Sequence, residues 1–158
     1  MMNNKVVITR KDEIAGNEQL GTDQYAYKKY EVTKRSEFNQ CYVAFYDVPP
    51  KKASYPKHYH KCNTECFYFI SGKAKIEGNN KDYYVNAGDI AIFPPGEEGI
   101  HKIINESDSE VLVYLDIDTA NSPDIIKYID SNKIGIIEHN ISSSFYRESD
   151  QVDYYDGE

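Results

Sequence analysis

The sequence predicts an all-β protein in which two sheets face one another, and three observations carry that reading. Short runs of β-branched and aromatic residues fill the middle of the chain, turn-forming residues separate them, and stretches with helical periodicity are scarce. Strands are expected at 24–32, 40–48, 65–71, 73–77, 81–85, 88–93, 100–105 and 110–116.

The turns between them have explicit chemistry. Gly72, Gly78-Asn79-Asn80, Asn86-Ala87-Gly88, Pro94-Pro95-Gly96 and Asn105-Glu106-Ser107-Asp108 supply positive φ, fixed φ or side-chain caps. The runs Cys41-Tyr42-Val43-Ala44-Phe45-Tyr46 and Val111-Leu112-Val113-Tyr114-Leu115 are apolar on both faces, whereas a sheet with one wet face alternates. A second sheet covers one face, and a partner subunit or the terminal segments must cover the other, so a homodimer is expected.

After Asp118 the texture changes. Ser122-Pro123 is placed to open a short helix through Tyr128, with serine as cap and proline at the first helical position. Residues 142–158, polar and acidic with scattered tyrosines, read as a solvated or loosely docked tail. The expected organisation is an N-terminal extension over 1–39 with one or two strands packing on the barrel, a barrel core over 40–118, and a C-terminal irregular or helical segment with its acidic tail over 119–158.

Composition excludes several function classes. A chain of 158 residues suffices for one domain with its own core. No stretch approaches the ~20 apolar residues of a membrane span, and residues 1–11 lack a secretion leader, so a cytoplasmic protein with no membrane partner is expected. The balance of 18 Lys+Arg against 26 Asp+Glu gives a formal net charge of -8 with no basic block, which argues against nucleic acid. Cys41, Cys62 and Cys66 read as reduced structural thiols, because Cys62 and Cys66 lack the second pair of a four-thiolate zinc site.

The chemistry concentrates around three of the four histidines. His58 and His60 stand two apart, so on an extended strand both imidazoles leave one face about 7 Å apart. Bonds of roughly 2.0–2.1 Å let one cation bridge such a pair. Glu65 opens the next apolar strand and can turn back toward the same point, and His101 supplies a fourth ligand if the two sheets face one another. Phe67, Phe69 and Ile103 share strand faces with Glu65 and His101 and are assigned to the pocket wall, together with Asn105 and Tyr59. Tyr59, Tyr68 and Tyr84 are either ligand-orienting hydroxyls or core tyrosines with the hydroxyl at the rim, and His139 reads as a surface residue.

An isolated His-x-His is usually a surface pair, but this constellation resembles the two signature motifs of the cupin superfamily. The first, Gly-x5-His-x-His-x4-Glu-x6-Gly, is matched by His58, His60, Glu65 and Gly72, with Lys52 where its opening glycine is expected. The second, Gly-x5-Pro-x-Gly-x2-His-x3-Asn, is matched by Gly88, Pro94, Gly96, His101 and Asn105, with a longer loop between Gly96 and His101. The chain also looks like a bacterial subgroup of small single-domain cupins that carry a His-Tyr-His triplet and a stretch similar to 124–133, where Ile129 replaces an expected proline.

The resemblance implies a double-stranded β-helix, or jelly-roll, cupin barrel holding one divalent metal ion, whether zinc, iron, manganese or nickel. Three neutral imidazoles and one carboxylate around that ion leave a local charge of about +1, so a small anionic or sugar-like molecule is the expected ligand. Its oxidation, decarboxylation or isomerisation is one reading, and a binding or sensor module without turnover is the other. The cysteine dioxygenases of the superfamily commonly dispense with the glutamate, so Glu65 argues against that activity.

Overall fold

A computed structural model describes residues 6–34, 40–139 and 142–158. Residues 1–5, part of the stretch scanned above for a leader, lie outside the described residues. The strands are β1 (Asn17–Leu20), β2 (Ala26–Glu31), β3 (Cys41–Val48), β4 (His58–His60), β5 (Glu65–Ser71), β6 (Lys73–Glu77), β7 (Asp82–Asn86), β8 (Ile90–Phe93), β9 (Lys102–Ile104), β10 (Leu112–Thr119), β11 (Asp124–Tyr128), β12 (Lys133–Glu138) and β13 (Ser142–Arg147). They form a six-stranded sheet β1-β2-β3-β10-β5-β8, a three-stranded sheet β7-β6-β9, and a four-stranded sheet β13-β12-β11-β4, all with antiparallel neighbours. A bridge between His58 and His101 joins the two smaller sheets into one layer facing the large one.

Strand alternation builds the interior. β3 turns Tyr42, Ala44, Tyr46 and Val48 inward, β10 turns Leu112, Tyr114, Asp116 and Asp118 inward, and β5 adds Glu65, Phe67 and Phe69. Ala74, Ile76 and Ile103 close the core from the opposite layer. Tyr46 stacks on Tyr114 with ring centroids 5.1 Å apart, and its hydroxyl meets that of Tyr55 at 3.0 Å, so these buried tyrosines keep polar partners. The interior is therefore apolar at one end and carries Glu65, Asp116 and Asp118 at the other. Gly72, at φ 84, makes the β5–β6 turn, where a Cβ would sit 3.1 Å from the backbone of Val111 and Leu112.

Two expectations are corrected. Residues 124–128 form β11 and not a helix: Ile125 and Ile126 are β-branched, and the segment pairs with both β12 and β4. The polar tail is partly sheet, because β13 pairs with β12 along its full length; residues 151–158 are exposed. The remaining helical structure consists of short 3-10 turns, and among the described residues no helix is long and apolar enough to cross a membrane.

The outer face of the large sheet exposes Tyr68, Ile70, Ile90, Ile92 and Ile117 on the adjacent strands β10, β5 and β8. Strand β7 is one edge of the three-stranded sheet and β8 one edge of the six-stranded sheet.

Candidate metal centre

Strands β4 and β5 and the residue just before β9, one contribution from each of the three sheets, bring the site together. On β4, His58 and His60 project to one side with ring centroids 5.3 Å apart, while Tyr59 projects to the other. His58 and His101 exchange both backbone hydrogen bonds, at 3.1 and 2.9 Å, and their rings lie 4.7 Å apart. Glu65 begins β5, opposite Phe93 on β8 and Asp118 on β10. All four side chains are buried.

The hydrogen bonds fix which ring nitrogen each histidine presents. His58 Nδ1 lies 2.8 Å from the carbonyl of Pro56, and His101 Nδ1 lies 2.9 Å from the carbonyl of Gly99. His60 Nδ1 bonds the carboxylate of Asp124. Each of these acceptors requires an Nδ1–H donor, which leaves every Nε2 as the inward-facing nitrogen. Those three atoms converge on Glu65, at 3.3 Å for His60, 3.3 Å for His101 and 3.9 Å for His58.

Ligand atoms sharing one ion at about 2.1 Å stand roughly 3.0–3.4 Å apart, depending on geometry. The donor set therefore fits a divalent cation, and the ligand atoms of His58, His60 and Glu65 all lie within 4.8 Å of one another. His101 approaches the same carboxylate from the opposite layer.

Electrostatics separate the histidines. Burial, aided by the neighbouring His101, pushes the His58 imidazole down to about 3. Burial likewise lowers His101. Burial opposes a charged His60 as well, but Glu65 and Asp124 outweigh it and hold that imidazole up at about 10. Glu65 loses solvation on burial, yet His101 and His60 hold its carboxyl well below the usual range. Asp124 follows the same pattern, held down through its bond to His60.

A cavity of about 10 Å³, room for one water molecule, adjoins Glu65, His58 and His101 and is walled by Phe67, Ile103, Tyr114 and Asp116. Of the pocket residues expected from sequence, Phe67 and Ile103 line it. Phe69 is fully buried in the core beneath Tyr114. Asn105 is spent on the backbone, donating to the carbonyls of Val48 and Glu110 and accepting from the Ser107 N–H. Tyr59 faces a separate cleft with Lys127 and Tyr128. Beyond the cluster, a groove of about 630 Å³ opens between β7 and β8, lined by Ile76, Tyr83, Tyr84, Phe93 and Ile100.

Sequence reasoning missed Asp116 and Asp124. An aspartate on an alternating strand carries no signal of its own, and Asp124 is tied to His60 across 64 positions. The carbonyls of Pro56 and Gly99, each two residues before its histidine, left a weak local signal. Counting Asp124 also removes the expected local charge of +1: an ion with four ligands and this buried carboxylate sums to about zero.

The cupin domain family matches residues 44–118. Residues 44–118 are a cupin domain. The signature spacings thus lie on the strands that this family arranges as a double-stranded β-helix. No curated protein sequence matches the chain. Among solved structures, a candidate sugar phosphate isomerase from Acidithiobacillus ferrooxidans superposes with a TM-score of 0.79 at 20% identity, covering 93% of this chain and 96% of that one. A sugar phosphate isomerase of the cupin superfamily from Silicibacter pomeroyi gives 0.75 at 18% identity, covering 92% and 95%. A protein from Thermotoga maritima predicted to be an oxalate decarboxylase gives 0.62 at 21% identity, covering 71% of this chain and 97% of that one. At these identities the likeness is one of fold, and in the first two it extends over the C-terminal strands beyond the matched domain.

Proposed function

We propose that this cupin holds one divalent metal ion with His58, His60, Glu65 and His101 and uses it to bind a small sugar-like molecule, which it isomerises. The observation that carries the metal centre is the convergence of three Nε2 atoms on one carboxylate while every Nδ1 is held by an acceptor. Zinc, iron, manganese and nickel all suit imidazole and carboxylate donors. An ion held there would supply a Lewis acid for a carbonyl oxygen.

With Asp124 behind His60 and Asp116 on the cavity wall, the surroundings of the ligand set are rich in carboxyl groups and favour a hydroxy-carbonyl compound over a polyanion. The architecture shared at full length with proteins described as sugar phosphate isomerases supports the same class. Isomerising a hydroxy-carbonyl compound moves one proton between neighbouring carbons and one between their oxygens, and needs no external oxidant. Asp116, buried on the cavity wall and outside the ligand set, is the group placed to carry that proton. Phe67 and Tyr114 exclude bulk water beside it. The ligand's oxygen takes the water-sized cavity beside Glu65.

A second reading, a binding module without turnover, is favoured by the small size of the cavity beside Glu65. One experiment separates the two. Metal-loaded protein is incubated in D₂O with a panel of aldoses, ketoses and their phosphates. Deuterium entering the carbon next to the carbonyl supports isomerisation, a ligand-induced rise in melting temperature without exchange supports the binding module, and neither effect overturns the sugar-like ligand. The homodimer belongs to the same reading, with the apolar outer face of β10, β5 and β8 as its surface, and sedimentation equilibrium tests it.

A further inference from the structure

The three histidines are not oriented by equivalent means. His58 and His101 each donate to a backbone carbonyl two residues earlier, a partner that no side-chain substitution removes. His60 alone is held by a side chain, Asp124 at the start of β11, outside the matched cupin domain of residues 44–118. Asp124 is 1% exposed and uses both carboxylate oxygens, Oδ2 on His60 Nδ1 and Oδ1 on the Cys62 N–H at 3.3 Å. The pairing of Ile126 with His60 sets that register.

We propose that Asp124 is the positioning residue of the metal centre, fixing the ring of His60 and, through it, the affinity for the ion. The inference rests on the metal-binding reading given above. A carboxylate behind Nδ1 keeps the proton there, aims Nε2 at the shared point and makes that nitrogen a better donor. The C-terminal hairpin is then part of the metal centre: the ligands come from residues 58–101, but one of them is aimed from β11.

The test is a double-mutant cycle on zinc affinity, measured by competition with a chelator in full-length protein. Asp124→Ala is expected to weaken zinc binding roughly 10–100-fold while the metal-free protein keeps its far-ultraviolet dichroism. In a His60→Ala background the same substitution is expected to change the affinity by no more than about twofold, because its target is gone. Nitrogen-15 spectra of the zinc-loaded wild type should show His60 protonated at Nδ1, and that signal should be lost in Asp124→Ala. If Asp124→Ala does not fold, Asp124→Asn, which replaces one acceptor oxygen by an amide, carries the same measurements. Undiminished affinity overturns the proposal, and so does a loss that persists in the His60→Ala background, which would mark a purely structural role. Absence of zinc binding in the wild type would instead overturn the metal centre and take this inference with it.

Discussion

The ring of Phe93 lies over the imidazole of His101 with centroids 3.9 Å apart and planes inclined by 22°. Phe93 also lines the groove between β7 and β8, so its ring stands between that groove and His101. Removing it should open a path to the ion. Phe93→Ala is expected to bind metal with the wild-type stoichiometry, to cost about 1–3 kcal/mol of stability because the ring is only half-buried, and to release zinc to a chelator several-fold faster. Stopped-flow chelation measures the rate, and an unchanged rate would place the access route elsewhere.

Metal binding should release close to one proton near neutral pH. Glu65 and Asp124 are already ionised, and His58 and His101 are already neutral. His60, held at about 10, must give up its proton. The affinity should therefore rise about tenfold per pH unit between roughly pH 7 and 9 and level off toward 10. In the metal-free protein the His60 contribution to stability is fully present below its ordinary value of 6.5 and is lost as pH rises through about 10. His58 acts oppositely: its folded value of about 3 lies below 6.5, so the unfolded chain binds more protons and acid destabilises the fold across that interval. Calorimetric titration in two buffers of different ionisation enthalpy counts the released protons, and a count near zero would show His60 already neutral.

Asn105 should matter to folding and not to the metal. Its amide satisfies two carbonyls and one N–H around the turn before β10, and it is 0% exposed. Asn105→Ala leaves buried backbone groups unpaired and is expected to cost about 2–4 kcal/mol, with zinc affinity unchanged. Denaturant unfolding and the competition assay read the two quantities separately.

Gly99 couples the loop to the centre. A Cβ there would stand 1.9 Å from the carbonyl oxygen of Pro94, and the Gly99 carbonyl is the acceptor for His101 Nδ1. Gly99→Ala must move backbone, so it is expected to lower stability by about 1–3 kcal/mol and to weaken metal binding together with it. Wild-type affinity in this variant would show that the carbonyl does not orient His101.

The legible part of this molecule was its local pattern. Alternation and turn residues placed β5 and β6 to the residue, and the spacing of His58, His60, Glu65 and His101 pointed to one centre. What escaped depends on partners distant in sequence. Residues 124–128 carry a helix-start signal in Ser122-Pro123, but the edge of β4 offers hydrogen bonds that an isolated segment lacks, and tertiary pairing overrides the local preference. Asp124 was invisible for the same reason, because its role exists only once β11 lies beside β4. Asn105, expected at the pocket wall, instead spends its amide on the turn before β10.

The most direct test of the metal centre is elemental analysis of protein purified without an affinity tag, beside a His58→Ala, His101→Ala double variant. About one divalent metal per chain in the wild type, lost in the variant while the fold persists, is the expected result. Protein that takes up no metal even after reloading, or a variant that retains it, would contradict the centre built by His58, His60, Glu65 and His101.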